Sequence, residues 1–100
     1  MDRSKALAIL KQHREELMQS GVESLSIIGS VARGQSGAES DVDVAVEFGD
    51  LDEGFAHFRR LDELQERLSE ILGCRVDLIE AAAVSPRVRR EIDRDRVLAF

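Results

Sequence analysis

Asp41 and Asp43 stand at the head of the segment DVDVAVEF, in which valines alternate with them. Residues two apart on a strand point to the same face, so both carboxylates project together while the valines face the core. Neighbouring carboxylates repel each other and raise each other's pKa. A divalent cation removes this conflict, and Mg²⁺ favours one or two carboxylates together with phosphate oxygens. The spacing therefore predicts a magnesium site that handles phosphates.

Asp77 repeats this pattern later in the chain. In the segment RVDLIE it alternates with Val76 and Leu78. If this strand lies beside the first, Asp77 joins the two aspartates on one face, and three carboxylates can hold two metal ions. The alternative is that Asp77 is an ordinary exposed strand residue.

Gly29 and Ser30 end an apolar run, and ten residues separate Ser30 from Asp41. Glycine allows the backbone to approach a ligand closely, and the free N–H groups that open a helical turn bind phosphate. Arg33 can reach a phosphate oxygen from the next turn. These three residues are therefore candidate nucleotide ligands. Plainer alternatives are a helix N-cap for Ser30 and a surface ion pair for Arg33.

Elements that position these residues follow from periodicity and from Gly and Pro signals. The order of helices and strands predicts an α/β (α+β) fold in one domain, residues 1–100, with a small mixed sheet and helices packed on one face. The expected helices are one up to Ser20-Gly21, a helical turn over 30–34, a helix over 55–72 with Phe58 in its apolar stripe, and a helix from Ser85-Pro86 to about Arg94. The expected strands cover 22–29, 41–48 and 75–80. A polar loop is expected over 35–39, an acidic turn over 49–54 and a docked apolar tail over 97–100.

Composition favours some classes of protein over others. The net charge of −6 and the presence of only four aromatic residues, all Phe, disfavour extended nucleic-acid binding. The arginines after Pro86 alternate with acidic residues, which is typical of a salt-bridged surface helix. A single cysteine, no apolar stretch long enough to span a membrane and a charged N-terminus lead us to expect a cytoplasmic protein. His13 and His57 lack metal-ligand spacing and are expected at the surface.

The stretch GSVARGQSGAESDVDVAV resembles the signature of the polymerase-β-type nucleotidyltransferase superfamily, which is Gly-Ser, ten residues and Asp-x-Asp. The chain is similar to the minimal nucleotidyltransferase (MNT) family over nearly its whole length, and Asp77 matches the position of the third carboxylate of the family. The resemblance implies a polymerase-β-like fold. It also implies that Asp41 and Asp43 hold Mg²⁺ and a nucleoside triphosphate, that Ser30 and the Gly29 backbone bind the β and γ phosphates, and that Asp77 ligates the catalytic metal, one of two ions, and helps activate an acceptor hydroxyl.

The resemblance also implies a partner. Stand-alone MNT proteins are commonly antitoxins of HEPN ribonuclease toxins, and some transfer AMP from ATP to a toxin tyrosine (AMPylation). This chain has no Tyr and no Thr, so a tyrosine acceptor must belong to another molecule. Two alternatives stay open: an antitoxin that neutralises its toxin by binding alone, and a transferase for a small molecule such as an aminoglycoside, whose acceptor cleft would require a dimer interface in a homo-oligomer.

Overall fold

A four-stranded mixed sheet with the strand order β3-β2-β1-β4 organises the protein. The computed structural model describes residues 2–34, 41–49 and 55–100. Strand β1 pairs antiparallel with β2 and β4, whereas β2 and β3 run parallel. The predicted mixed sheet with helices is therefore confirmed. The strands are β1 (Val22–Ile28), β2 (Val42–Phe48), β3 (Val76–Glu80) and β4 (Val97–Leu98), and the helices are α1 (Arg3–Gln12), α2 (Arg14–Gln19), α3 (Gly29–Ala32), α4 (Phe55–Leu72) and α5 (Pro86–Asp95).

The main core lies on the valine face of β2. Val42, Val44 and Val46 are each fully buried there and pack with Leu10 of α1 and Leu68 of α4. Burying a side chain of this size stabilises a fold by about 1.5–3 kcal/mol. Burial of the valines directs the alternating aspartates to the other face of the sheet.

Helix α5 covers part of that other face. Its Ile92 is buried in a second apolar cluster with Ile28 of β1 and Ala45 of β2. Ser85 caps this helix by accepting a hydrogen bond from the Val88 N–H, and Pro86 follows at the first helical position, as predicted. Helices α1 and α4 pack on the valine face of the sheet, in line with the predicted packing of helices on one face. Helix α5 differs from that prediction, because it covers part of the opposite face.

Two helical predictions need correction. The first helix is interrupted at His13, whose ring Nδ1 lies 2.9 Å from the Ile9 carbonyl oxygen and competes with the backbone for that acceptor. Beyond the break, the apolar side chain of Met18 is exposed. Phe58 is also 69% exposed, because the buried stripe of α4 is centred on Leu64 and Leu68.

The apolar tail docks, as predicted, through β4. Val97 and Leu98 pair with Ile27 and Ser26 of β1, which adds a short edge strand that the sequence pattern did not show. The predicted loop over 35–39 and most of the predicted acidic turn lie outside the described residues. Among the helices that the structure describes, none combines the length and apolarity required to cross a bilayer.

His57 is not the surface residue that we expected. Its Nε2 lies 2.6 Å from Glu80 Oε2, and each side chain is only about one-fifth exposed. The ring also meets Phe48 edge-on, with the ring centroids 5.7 Å apart. The pair ties the beginning of α4 to the end of β3.

Candidate active site

Asp43 and Asp77 lie next to each other on the face of the sheet opposite the valines. They are register partners in the parallel pair β2–β3, so their side chains project to the same side. Asp41 immediately precedes β2 in the same alternation and is about half exposed. The sheet thus places Asp43 and Asp77 side by side, while Asp41 lies at the beginning of β2.

Asp43 is the electrostatically strained member of this group. Partial burial raises the pKa of Asp43 above its ordinary value, and the charges of Asp77 and Asp41 raise it further. A hydrogen bond between Asp43 and Asp77 acts in the same direction, whereas Arg33 acts in the opposite one. Asp43 therefore carries a negative charge that the fold by itself disfavours.

A divalent cation fits the chemistry of these side chains. All three offer carboxylate oxygens, the ligands that Mg²⁺ prefers, and a cation beside Asp43 and Asp77 would offset the repulsion between their charges. Asp41 Oδ2 lies 3.9 Å from Arg75 Nε instead of turning to the other two. Within residues 2–34, 41–49 and 55–100, no three acidic, His or Cys side chains converge closely enough to hold one ion. Metal binding by the three aspartates stays a prediction, and it requires movement of at least one carboxylate.

Gly29 provides the space that Asp43 occupies. A Cβ atom at residue 29 would overlap Asp43 Oδ2. The backbone of Gly29 also has a φ of +71°, a conformation that residues with side chains avoid. The Gly-Ser segment and the Asp-x-Asp segment therefore meet in direct contact at one end of the β1–β2 pair.

Ser30 lies inside α3 and is not its N-cap. Helix α3 begins at Gly29, its N-cap is the extended residue Ile28, and no side chain that the structure describes bonds to this cap. The plain capping role is therefore wrong for Ser30. Its predicted role as a phosphate ligand stays a prediction.

Arg33 lies between two carboxylates. Its Nη1 is 3.5 Å from Asp95 Oδ2 of α5, and its charge also lowers the pKa of Asp43. The ion pair considered from the sequence is thus present, but the guanidinium remains about half exposed. A nucleotide phosphate approaching Asp43 would meet this cation.

Contacts between α5 and the aspartate face were missed from the sequence. Glu47 of β2 is 2.9 Å from Arg89 Nη2 and 3.5 Å from Arg96 Nη2, which fixes α5 against the sheet. Further pairs along the helix confirm that it is salt-bridged. A signal was available, because Glu47 continues the alternation of Asp41, Asp43 and Ala45 and therefore shares their face.

A family model for the nucleotidyltransferase domain matches residues 10–99 of this chain. A candidate protein adenylyltransferase of Methanocaldococcus jannaschii is 37% identical over 91 residues, which are 89% of this chain and 89% of the relative. The protein adenylyltransferase MntA of Thermococcus cleftensis is 32% identical over 91 residues, covering 90% of this chain and 88% of that protein.

Solved structures give the same fold. The structure of a candidate minimal nucleotidyltransferase superimposes with a TM-score of 0.79 at 27% identity, covering 97% of this chain and 95% of the other. A chain from the structure of a tri-AMPylated Shewanella oneidensis HEPN toxin in complex with MNT antitoxin gives a TM-score of 0.65, covering 94% of this chain and 71% of the other. Its identity of 16% shows the fold alone.

Together, the sheet topology, the Gly29–Asp43 contact and these matches define an enzyme of the nucleotidyltransferase class with a polymerase-β-like fold. The chain belongs to the nucleotidyltransferase domain family, within its minimal branch, and MntA of Thermococcus cleftensis is a homologue.

Proposed function

We propose that this protein is a Mg²⁺-dependent protein adenylyltransferase and an antitoxin. It transfers AMP from ATP to a tyrosine hydroxyl of a HEPN ribonuclease toxin. The acceptor oxygen forms a bond to the α phosphorus, the bond from that phosphorus to the bridging oxygen breaks, and pyrophosphate leaves with the electron pair. The hydroxyl proton passes to a carboxylate, for which Asp77 is the candidate.

The observation that carries this proposal is the pair of adjacent carboxylates Asp43 and Asp77 next to Gly29. The pKa of Asp43 is raised, so its charged form is disfavoured and a bound cation would stabilise that form. Bound Mg²⁺ would supply charge neutralisation for the triphosphate in phosphoryl transfer. Asp41, Asp43 and Asp77 would hold it, while Ser30, the Gly29 backbone and Arg33 would orient the phosphates.

Support for a protein acceptor comes from the relatives. MntA is named a protein adenylyltransferase, and the Shewanella oneidensis complex pairs an MNT antitoxin with an AMPylated HEPN toxin. The absence of Tyr from this sequence requires that a tyrosine acceptor belong to a second molecule. A toxin that brings its own tyrosine to the Asp77 side of the site satisfies this requirement.

The test is an intact-mass measurement of both proteins after incubation. The protein, Mg²⁺ and each nucleoside triphosphate are mixed in turn with a HEPN ribonuclease toxin from the same organism. We expect the toxin to gain one or more AMP units with ATP, and the double variant Asp41→Ala, Asp43→Ala to abolish the gain. The matched control replaces two exposed acidic residues of α4, Asp62→Ala with Glu63→Ala, and keeps full activity.

One result would replace catalysis with neutralisation by binding. If the toxin gains no mass, and the aspartate double variant still forms the complex and inhibits the ribonuclease, the antitoxin acts by covering the toxin. A mass gain with another triphosphate would keep the transferase and change its nucleotide.

A further inference from the structure

A cavity of about 260 Å³ opens beside the candidate active site, between the sheet and α5. Its walls are apolar and come from Ile28, Ile79, Val88 and Ile92. Gly29 lines the cavity and is also adjacent to Asp43, so the cavity adjoins the aspartate site. A ligand bound at Asp43 therefore has an apolar recess within reach.

Charges among the residues that line the cavity are balanced. Arg33 and Arg94 contribute two positive charges, while Glu91 and Asp95 contribute two negative ones. Asp95 lies 3.5 Å from Arg33 and 3.4 Å from Arg94, so it is already neutralised. A lining without net charge gives no advantage to a phosphate group. It suits an uncharged moiety with an apolar body and polar edges.

We propose that this cavity binds the nucleoside part of the triphosphate whose phosphates lie at Gly29, Ser30 and Arg33. The inference rests on the proposed function and adds the place where the base and ribose bind. Small-molecule sites usually measure about 300–1,000 Å³, so a cavity of about 260 Å³ suits part of a nucleotide and not the whole of it. The apolar walls would cover the faces of the base, and Glu91 and Asp95 would accept hydrogen bonds from amino or ribose hydroxyl groups.

Position favours the nucleoside over the acceptor as the occupant. The cavity includes Gly29 and Arg33, two of the three residues proposed to hold the phosphates. Asp77, the residue proposed to activate the acceptor, is not among the described residues that line it. We therefore assign the nucleoside to the α5 side and the acceptor tyrosine to the Asp77 side, although Ile79 of β3 also lines the cavity.

Val88 is the residue for the test, because it lines the cavity while its side chain is 37% exposed. The variant Val88→Trp fills the recess without replacing a fully buried core residue. Arg90→Trp places the same side chain on an exposed position of α5 outside the cavity lining and serves as the control. Binding of ATP and of inorganic tripolyphosphate is measured by calorimetry in Mg²⁺ for the unmodified protein and both variants.

We expect Val88→Trp to weaken ATP binding by about tenfold or more, which corresponds to about 1.4 kcal/mol. Tripolyphosphate binding should stay unchanged in the same variant, and Arg90→Trp should change neither. In the unmodified protein ATP should bind more tightly than tripolyphosphate, although it carries less negative charge. This comparison needs no variant, so it tests the inference even if Val88→Trp folds poorly.

Equal affinities of the unmodified protein for ATP and tripolyphosphate would overturn the inference. ATP binding that survives Val88→Trp while transfer to the toxin is lost would overturn it too, and would assign the cavity to the acceptor. If the unmodified protein binds neither probe, the proposed function fails together with the inference. If ATP binds as expected but no transfer to a protein is found, the cavity assignment stands and only the acceptor is wrong.

Discussion

Gly29 and Asp43 show at the scale of single residues how the two halves of the sequence motif depend on each other. The carboxylate of Asp43 occupies the space that a side chain on residue 29 would need. A glycine at this position is therefore a condition for the position of Asp43. The Gly-Ser segment therefore shapes the candidate site because residue 29 has no side chain.

Substitution of Gly29 by alanine should separate this contact from backbone strain. Gly34 has nearly the same φ, +72° against +71°, but no described atom lies within 4 Å of a Cβ placed there. Both Gly29→Ala and Gly34→Ala should lose about 1–2 kcal/mol of stability from the left-handed backbone. Only Gly29→Ala should also lose nucleotide transfer, by about tenfold or more, because it displaces Asp43. Urea unfolding and transfer assays check both, and an equal loss of transfer in the two variants would contradict the role of the contact.

Asp43 should make stability depend on pH. Its pKa in the folded state is raised above the ordinary value of 3.8, so the folded state holds this proton more tightly than the unfolded state. Stability contributed by the group therefore falls as pH rises from about 3.8 through the higher folded-state pKa. Asp43→Asn removes the charge, so the variant should be more stable than the unmodified protein at pH 7 and equal to it below the window.

Thermal unfolding between pH 3 and pH 8 measures this difference, with Asp62→Asn on the exposed side of α4 as the control. In the same assay Mg²⁺ should stabilise the unmodified protein at pH 7 and have little effect on Asp43→Asn. A stabilising effect of Mg²⁺ that is equal in both proteins would show that the ion binds elsewhere.

Helix α4 shows at the scale of elements how one apolar stripe can contain both core and surface. Leu68 is fully buried, whereas Phe58 is 69% exposed. Leu68→Ala should therefore lower the free energy of unfolding by about 2–5 kcal/mol. Phe58→Ala should change it by less than about 0.5 kcal/mol. Urea unfolding of the isolated protein measures the loss of stability in each variant. A large loss of stability in Phe58→Ala would contradict the exposed position of this ring and would show that it packs against another surface.

The His57–Glu80 pair should stabilise the junction between α4 and β3. Removing Glu80 leaves His57 Nε2 without its partner at 2.6 Å in a setting that is only about one-fifth exposed. Glu80→Ala should cost about 1–3 kcal/mol, the usual penalty for an unsatisfied buried polar group. Glu70→Ala removes a carboxylate that is 67% exposed and serves as the control, with an effect within about 1 kcal/mol. Equal unfolding midpoints for the two variants would rule out a structural role for the pair.

Local signals predicted the elements well where they were strong. Alternation in β2 and the Ser85-Pro86 start of α5 each rest on neighbours in sequence, and each was found as expected. The interruption at His13 carries no Gly or Pro signal, and β4 has only two residues, too few for a periodic pattern.

The same distinction between local and long-range signals applies to the candidate site. The common face of Asp43 and Asp77 followed from strand alternation once β2 and β3 were neighbours. The contacts of Arg33 with Asp95 and of Glu47 with Arg89 join residues 62 and 42 positions apart, so they depend on how α5 docks. Sequence periodicity contains no information on such long-range docking.

At the scale of the whole molecule, the amino-acid composition restricts which protein can carry AMP on a tyrosine. The chain contains no Tyr, so a tyrosine-specific transferase cannot modify itself. Incubation of the protein alone with Mg²⁺ and ATP should leave its intact mass unchanged, while addition of the toxin should give a mass gain on the toxin only. AMP found on this chain after the incubation would show that serine or another nucleophile is accepted.

The pairing of β1 with β4 has a consequence for biosynthesis. Ser26 pairs with Leu98, and these positions lie 72 apart (98 − 26). At ribosomal speeds of about 5–20 residues per second, this edge of β1 waits ~4–14 s for its strand partner. An unpaired strand edge is a template for pairing with other chains. Crowded polysomes and slow codons between these positions would therefore favour association of nascent chains, so the yield of native protein should depend on the rate of translation as well as on the stability of the finished sheet.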